Sequence, residues 1–167
     1  MKEEINIQEL IDFLKHNEDK IYKFAYGYVK NQDIALDLVH ESIVKAIQKR
    51  DTVREKRYIK TWFYKILINE CLGYLRKRNK VLFFEEIKDI ENLGQTKDFS
   101  DNNENIDLYD AIDKLPEKFK TIIMLRFFED MSLEEISQTI KMNLSTVKSR
   151  LYKALEILKI EMKGENL

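Results

Sequence analysis

The sequence predicts an all-α protein of two small helical bundles joined by a flexible acidic linker, with a helix-turn-helix in the second bundle. Three observations predict this fold. Four glycines and one proline in 167 residues are too few for the turns of a sheet protein. Apolar residues recur at helical spacing along most of the chain. Residues 85–107 break that spacing, and residues 95–105 within them are polar and acidic, which places a linker at 85–105.

The first domain, residues 1–84, is predicted to contain helices at 5–15, 18–30, 33–49 and 58–79. Asn31 or Asp33 can cap the third helix. The buried face of that helix is predicted to consist of Ala35, Leu38, Val39, Ser42 and Ala46. Its outer face carries Asp37, His40, Glu41, Val44 and Gln48. Because Val44 is apolar among charged neighbours, this face is a candidate partner surface.

The fourth helix, 58–79, is apolar nearly all round and is therefore expected at the centre of the bundle. Trp62 and Cys71 are interpreted as packing residues. Asn69 is either a satisfied buried amide or a nucleic-acid contact. The helix is expected to end in the basic run Arg76 to Lys80, whose cations suit the dipole of a helix C-terminus and also a backbone phosphate.

Charge is strongly segregated, although the whole chain has a net charge of −1. Residues 49–80 hold 11 basic and 3 acidic residues, a net charge of +8. Residues 81–107 hold 2 basic and 8 acidic residues, a net charge of −6. A local basic excess of this size suits a polyanion such as nucleic acid. The alternative is a basic face that is only solvated.

The second domain, residues 106–167, is predicted to begin with an apolar helix, followed by a helix that starts at Pro116 and runs to about Phe127. Ser132 and Glu135 then form a capping box at the start of a third helix. Ser145 can cap a fourth helix. Together the third and fourth helices have the layout of a helix-turn-helix.

The fourth helix of this domain is amphipathic. One side is predicted to carry Val147, Leu151, Ala154, Leu155 and Leu158. The opposite side carries Ser149, Tyr152, Lys153 and Glu156, with Lys148 and Arg150 on its flanks. The apolar side must pack on the preceding helix, which leaves the polar side free to enter a major groove. The alternative is an ordinary helical hairpin with a solvated charged face.

Composition argues against several classes of function. One cysteine allows no intramolecular disulfide, and the two histidines have no partner at ligand spacing, so we expect no metal site. No paired acid and base, nucleophile motif or phosphate loop is present. We therefore expect neither an enzyme, nor a cofactor, nor a small-molecule substrate. No signal peptide or membrane-spanning run is visible, so a cytoplasmic protein is expected.

Motifs in both domains resemble those of one family. Thr146 to Ala154 reads TVKSRLYKA and is similar to the signature TVKSRL-x-RA, and the segments at 115–117 and 125–127 are similar to LPE…LR. Ala35 to Glu41 is similar to A-x-D-L-V-Q-E, and the segment from Trp62 to Lys77 is similar to W-[LF]-Y-x-I-x-x-N…LR. The chain thus resembles a sigma factor of the extracytoplasmic-function group of the sigma-70 family, in particular its sigma V-like envelope-stress subgroup.

The resemblance implies a division of labour between the domains. The first (region 2) would bind the clamp helices of core RNA polymerase and recognise and melt the −10 promoter element. The second (region 4) would read the −35 element and touch the polymerase flap. The implied core-binding residues are Asp37, His40, Glu41 and Val44. The implied −35 residues are Thr146, Lys148, Ser149, Arg150, Tyr152 and Lys153.

The implied −10 residues lie in the basic segment. They are Arg54, Lys56, Arg57, Tyr58, Lys60, Lys65, Asn69, Arg76 and Lys77. The loop from Arg54 to Tyr58 is similar to the family's loop that captures a flipped base of the non-template strand. Cations that hold phosphates and a ring that stacks on the base suit that role.

Family resemblance also implies an anti-sigma factor, expected to be membrane-anchored, that keeps the protein inactive until a stress signal arrives. Three residues depart from the family pattern. Lys141 stands where the turn often carries glycine, so a left-handed backbone there would be strained. His40 replaces a glutamine. Gly73 replaces an aspartate and costs about 1 kcal/mol relative to alanine inside a helix.

Two other functions compete with this one. An independent DNA-binding regulator would bind duplex DNA without the polymerase. A helical adaptor with solvated charged faces would show no salt-dependent DNA binding at all.

Overall fold

The computed structural model describes residues 5–88 and 106–164, and every regular element in these ranges is helical. The first range contains α1 (Ile7–His16), α2 (Glu18–Val29), α3 (Gln32–Gln48) and α4 (Ile59–Lys88), with short 3-10 turns at Arg50–Thr52 and Lys56–Tyr58. The second contains α5 (Ile106–Asp113), α6 (Glu117–Ile123), a π-helical turn (Met124–Phe128), α7 (Leu133–Ile140) and α8 (Leu144–Gly164). The predicted all-α class is confirmed.

The start and the buried face of α3 agree with the sequence analysis. Asn31 is the capping residue, and its side-chain oxygen accepts a hydrogen bond from the Ile34 N–H at 3.0 Å. The buried residues of α3 are the five predicted ones, Ala35, Leu38, Val39, Ser42 and Ala46. α2 and α4 pack against this face.

Helix α4 is longer than predicted. It runs to Lys88 instead of ending at residue 79, because no glycine or proline interrupts residues 80–88. The first four residues of the predicted linker, 85–88, are therefore helical, and the others lie outside the described residues. Since helix-dipole effects are confined to the last turn, the dipole explanation for the cations at Arg76 to Lys80 is wrong.

Packing on α4 corrects one assignment and confirms another. Phe63 and Leu67 are fully buried, as expected for a central helix. Cys71 is also fully buried, and burial raises the pKa of its thiol to about 12, which fits a packing role. Trp62, which was predicted to be a core residue, packs against the core but is only half-buried, and its indole N–H donates to Thr52 Oγ1 at 3.0 Å.

A π-helical turn replaces the end of the predicted helix from Pro116 to Phe127. The Glu129 N–H donates to the Met124 carbonyl at 3.3 Å, and the Met131 N–H donates to the Leu125 carbonyl at 3.1 Å. Asp130 then adopts a left-handed backbone, with φ of 51°. These bonds end the helix and direct the Glu129 side chain into the protein, where the residue is 2% exposed.

The helix-turn-helix forms largely as predicted. Ser132 Oγ accepts a hydrogen bond from the Glu135 N–H at 3.1 Å at the start of α7. Lys141 ends α7 with φ of 51°, the strained left-handed backbone expected there. Helix α8 begins at Leu144, so the prediction that Ser145 caps it is wrong, and Asn143 precedes the helix instead. Leu155 is 37% exposed and does not belong to the buried side of α8.

The buried apolar residues of the two bundles form one connected cluster. Within the second bundle, α5, α6 and α7 each pack on α8. Between the bundles, α7 packs on α4, and the π-helical turn packs on α2. In the described part of the chain, no helix has the length and apolar character needed to cross a membrane.

Candidate nucleic-acid interface

One face of α8 is open to a partner. Lys148, Ser149 and Lys153 are exposed, and Tyr152 is 69% exposed. Behind them Val147, Leu151, Ala154 and Leu158 are buried, which fixes the orientation of the helix. Thr146 and Arg150 are half-buried on the flanks. The structure therefore places all six predicted −35 residues on or beside a single surface.

Side chains on this face are only lightly held. Ser149 Oγ donates to the Ser145 carbonyl at 3.0 Å, a bond within the helix. Lys153 lies 3.8 Å from Glu156, and both side chains are more than half exposed, so the pair contributes little. Cations and hydroxyls held this loosely are free to bond to base edges and phosphates.

A second candidate surface is a pocket beside the 3-10 turns of the first bundle. Four of its lining residues are Arg54, Tyr58, Trp62 and Lys65, and a fifth, Gln138, comes from α7 of the second bundle. Arg54 is exposed, and Tyr58 is half-buried with the Arg57 guanidinium 4.8 Å from its ring centre. Exposed cations around aromatic rings suit an unstacked base and its phosphate.

Two predicted −10 residues of the loop are exposed and carry ion pairs. Lys56 Nζ lies 3.7 Å from Glu9, and Arg57 Nε lies 2.7 Å from Glu55. Because such surface pairs contribute little to stability, both cations remain available to a phosphate.

Along α4 the other predicted −10 residues have different surroundings. Lys60 and Lys65 are half-buried and face the second bundle. Asn69 is exposed, so the alternative of a buried amide is wrong. Arg76 and Lys77 are exposed and lie on the same helix about 24 Å beyond Lys60, so they do not share the pocket.

The predicted core-binding residues form one exposed face of α3. Asp37, His40 and Glu41 are exposed, and Val44 is 49% exposed. Behind them an ion pair between Lys45 and Glu70 joins α3 to α4, and this contact raises the pKa of Lys45. Leu36, 45% exposed, is a second apolar residue on the surface of α3 that the sequence analysis missed.

Polar groups between the two bundles were also missed. Tyr64 OH donates to the Glu129 carboxylate at 2.5 Å, and Lys60 Nζ donates to the Glu129 carbonyl at 2.5 Å. Burial raises the pKa of Glu129, and the hydrogen bond from Tyr64 opposes that shift. Burial and the nearby carboxylate also raise the pKa of Tyr64.

A second set of contacts lies beside α2. Thr121 Oγ1 donates to the Glu117 carbonyl at 2.9 Å, so the hydroxyl of buried Tyr28, 2.5 Å away, donates to Thr121. Asp113 lies 3.0 Å from Lys30 and 3.4 Å from Lys120. Burial lowers the pKa of Lys120, and Asp113 opposes that effect. Lys120 is a charged residue inside an apolar helical run. This feature of the sequence could have indicated a buried polar contact here.

Comparison with known families decides the identity. The family description Sigma-70 region 2 matches residues 13–81, and Sigma-70, region 4 matches residues 106–158. The chain belongs to the sigma-70 family. Within that family it is a sigma factor of the extracytoplasmic-function group, as its curated relatives indicate.

Two of those relatives come from Bacillus subtilis. RNA polymerase sigma factor SigV is 44% identical, over 95% of this chain and 93% of SigV. ECF RNA polymerase sigma factor SigW is 26% identical, over 93% of this chain and 88% of SigW.

Solved sigma-factor structures share the fold. The sigma factor RpoE of Bartonella quintana, solved with the anti-sigma factor NepR, matches with a TM-score of 0.72 and 24% identity, over 91% of this chain and 97% of RpoE. CnrH, solved with the cytosolic domain of CnrY, matches with a TM-score of 0.70 and 16% identity, over 95% of this chain and 90% of CnrH.

Proposed function

We propose that this sigma factor divides promoter recognition between its two bundles, as region 2 (residues 1–84) and region 4 (residues 106–167), with 85–105 as a flexible acidic linker. The observation that carries the proposal is the presence of two differently built basic surfaces in one chain. One is a helix face shaped for a groove, and the other is a pocket with cations and aromatic rings.

The α8 face reads the −35 element in duplex DNA. Lys148, Ser149, Tyr152 and Lys153 meet the base edges, and Thr146 and Arg150 on the flanks meet the backbone. An exposed cation and hydroxyl on a rigid helix support this role, because lysine pairs with guanine O6 and N7 in the major groove.

The pocket and α4 read the −10 element as it melts. Arg54 and Tyr58 take the flipped base, and Lys56 and Arg57 hold its neighbouring phosphates. Lys60, Lys65 and Asn69 follow the strand along α4, with Arg76 and Lys77 at its far end. Two observations support this role. Residues 49–80 carry a net charge of +8, and the basic run Arg76 to Lys80 lies inside α4 and not at its end, so these cations do not serve the helix dipole.

Core polymerase docks on α3 through Asp37, His40, Glu41 and Val44, where its clamp helices bind, and the polymerase flap meets the second bundle. The protein acts in the cytoplasm on an envelope-stress regulon and is not an enzyme. An anti-sigma factor, membrane-anchored, holds it inactive. The solved complexes of RpoE with NepR and of CnrH with CnrY support a regulator of that class.

Run-off transcription tests this proposal. Core polymerase is assayed with and without the protein on a genomic promoter library, and new discrete transcripts are expected only with it. Val44→Asp should lower polymerase binding more than tenfold by gel filtration. Ile7→Asp, at an exposed apolar position on α1, should leave it unchanged.

Absence of new transcripts together with duplex binding by the protein alone would favour the independent regulator. Absence of both transcripts and salt-dependent DNA binding would favour the adaptor.

A further inference from the structure

The two bundles meet through a polar contact that the assignment of promoter surfaces does not explain. Glu129 holds it: the carboxylate accepts from Tyr64 OH and the backbone carbonyl accepts from Lys60 Nζ, each at 2.5 Å. We call these two bonds the Glu129 contact. Tyr64 is 1% exposed and Glu129 is 2% exposed, so water does not compete for the bond between their side chains.

The Glu129 contact lies at the edge of the proposed −10 surface. Lys60 is a proposed strand-binding residue. Here its ammonium donates a hydrogen bond to the Glu129 carbonyl of the second bundle instead of to a phosphate. Gln138 of α7 lines the same pocket as Arg54 and Tyr58. The ammonium of Lys141, at the end of α7, lies close enough to Lys65 to lower its pKa. In this arrangement α7 therefore covers part of the surface that would take single-stranded DNA.

Apolar packing holds the two bundles together, but two polar features of the interface favour its opening. A carboxylate is buried there at a desolvation cost, and two lysines, Lys65 and Lys141, repel each other. Opening returns the carboxylate to water and separates the two cations. A strand phosphate between Lys60 and Lys65 would compensate for the lost contact, since it supplies the anion that these cations lack.

We propose that the Glu129 contact holds the free protein in a closed state that covers the −10 surface, and that single-stranded DNA binds only after this contact breaks. The proposal rests on the −10 assignment made under Proposed function. It adds a regulatory role for Tyr64 and Glu129, neither of which is a proposed DNA-binding residue.

Distance measurements on the full chain test the closed state without DNA. Donor and acceptor dyes are placed on cysteines at two exposed positions, Asp33→Cys on α3 and Lys159→Cys on α8. The native Cys71 is buried with a pKa of about 12 and should stay unlabelled. High energy transfer is expected for this pair in the otherwise unchanged protein.

Two substitutions open the interface by different routes. Tyr64→Phe keeps the ring that packs on Phe24, 5.2 Å between centres, but removes the hydroxyl. Losing a bond to a charged group should shift the closed-to-open ratio by about ten- to a hundredfold. Gly27→Leu inserts a side chain where even a Cβ would lie 2.5 Å from Met124 Cε. Tyr74→Phe, on the same helix as Tyr64, is the matched control and should keep the transfer of the parent.

Binding of a random-sequence single-stranded DNA 20-mer tests the covering of the surface. Tyr64→Phe and Gly27→Leu are each expected to bind this DNA at least tenfold more tightly than the parent. Tyr74→Phe should bind it with the affinity of the parent. Low energy transfer in the parent would overturn the closed state, and unchanged high transfer in both opening variants would overturn the Glu129 contact as its lock. Lower transfer with unchanged DNA binding would overturn the covering.

The two proposals fail separately. Transcripts in the run-off assay with unchanged energy transfer in the variants would leave the sigma-factor assignment intact and reject the Glu129 contact as a lock. Lower transfer without any transcript would leave the closed state intact and reject the promoter assignment on which the covering depends.

Discussion

The two proposed promoter surfaces differ in access. The −35 face on α8 is exposed, and its side chains bond only within their own helix. On the −10 surface Lys60 is bonded to the second bundle and Gln138 enters the pocket. The same bundle that presents one surface thus covers part of the other. A protein built in this way can leave its groove-reading helix free while it withholds the residues that stabilise melted DNA.

The largest expected effect separates the stabilities of the two bundles. Ile136 on α7 is fully buried, so Ile136→Ala should cost the second bundle about 2–5 kcal/mol. Trp62, the only tryptophan, bonds to Thr52, so its fluorescence reports chiefly on the first bundle. In urea, helix loss by circular dichroism should then begin before the Trp62 fluorescence changes. Ile160→Ala, at a position 64% exposed, should behave as the parent, and coincident transitions for Ile136→Ala would contradict this account.

The next effect tests the open −35 face. Lys148→Ala should weaken promoter binding by the polymerase complex by about 1–3 kcal/mol, roughly 5- to 150-fold, because a lysine bond to a guanine edge is lost. Lys159→Ala removes an exposed cation from the same side of α8, about 16 Å farther along the helix than Lys148. Titration of promoter DNA against both variants measures the difference. An equal loss of promoter affinity in both variants would mean that Lys148 attracts DNA only through its charge and does not read a base.

A smaller effect concerns the turn between α7 and α8. Lys141 has φ of 51°, a left-handed backbone that disfavours side chains with a Cβ. Lys141→Gly should therefore stabilise the second bundle by about 1 kcal/mol in urea unfolding. Lys141→Ala also removes the charge that repels Lys65 but keeps the strain, so its gain should be smaller. A gain of the same size from alanine would assign the effect to charge rather than backbone.

The first bundle offers the opposite substitution. Gly73 lies inside α4, and a Cβ added there meets no atom within 4 Å. Gly73→Ala should stabilise this bundle by about 0.5–1 kcal/mol, through helix propensity alone. Gly27→Ala should gain less, because its Cβ meets Met124 of the second bundle. Thermal unfolding followed at Trp62 ranks the two, and the reverse order would argue against the packing of the π-helical turn on α2.

The smallest effect is a shallow dependence of closure on pH. The groups that set the charge state of Glu129 are Tyr64, Lys20, Lys60 and Asp130. Burial raises the pKa of Glu129 in the closed state, so closing takes up a proton. Below the ordinary glutamate pKa the carboxyl is protonated in both states, so closing carries no cost from burying its charge. As the pH rises from there through the raised pKa, the closed state loses stability relative to the open one.

Energy transfer should accordingly increase as the pH falls toward the ordinary glutamate range. Glu129→Gln keeps an acceptor for Tyr64 OH but carries no charge, so its transfer should be flat over the same range. A slope that persists in Glu129→Gln would assign the pH dependence to another group.

Much of each bundle could be predicted because its causes are local. Helical spacing predicted the five buried residues of α3, and the preference for asparagine or aspartate at a helix start reduced its cap to two candidates, of which Asn31 is the observed one. Trp62 and Leu155 were misplaced because spacing alone says which side a residue lies on but not how far neighbouring elements extend over it. The end of α4 was missed because the basic run at Arg76 to Lys80 was taken as the end of the helix.

The Glu129 contact could not be predicted, because its partners lie 65 residues apart in the sequence for Tyr64 and 69 for Lys60. The acidic composition of the linker indicated that the bundles were free of each other. A buried carboxylate directly after two phenylalanines was the only local sign, and an exposed turn explains such a sequence equally well.

Lysine reactivity tests the difference between the two surfaces most directly. The free protein is treated with an amine-reactive reagent, and modification of Lys60, Lys65 and Lys148 is measured by mass spectrometry, before and after binding to core polymerase. We predict that Lys148 reacts readily in the free protein while Lys60 is protected, and that Lys60 becomes reactive in Tyr64→Phe and in the polymerase complex. Equal reactivity of Lys60 and Lys148 in the free protein would contradict the closed state.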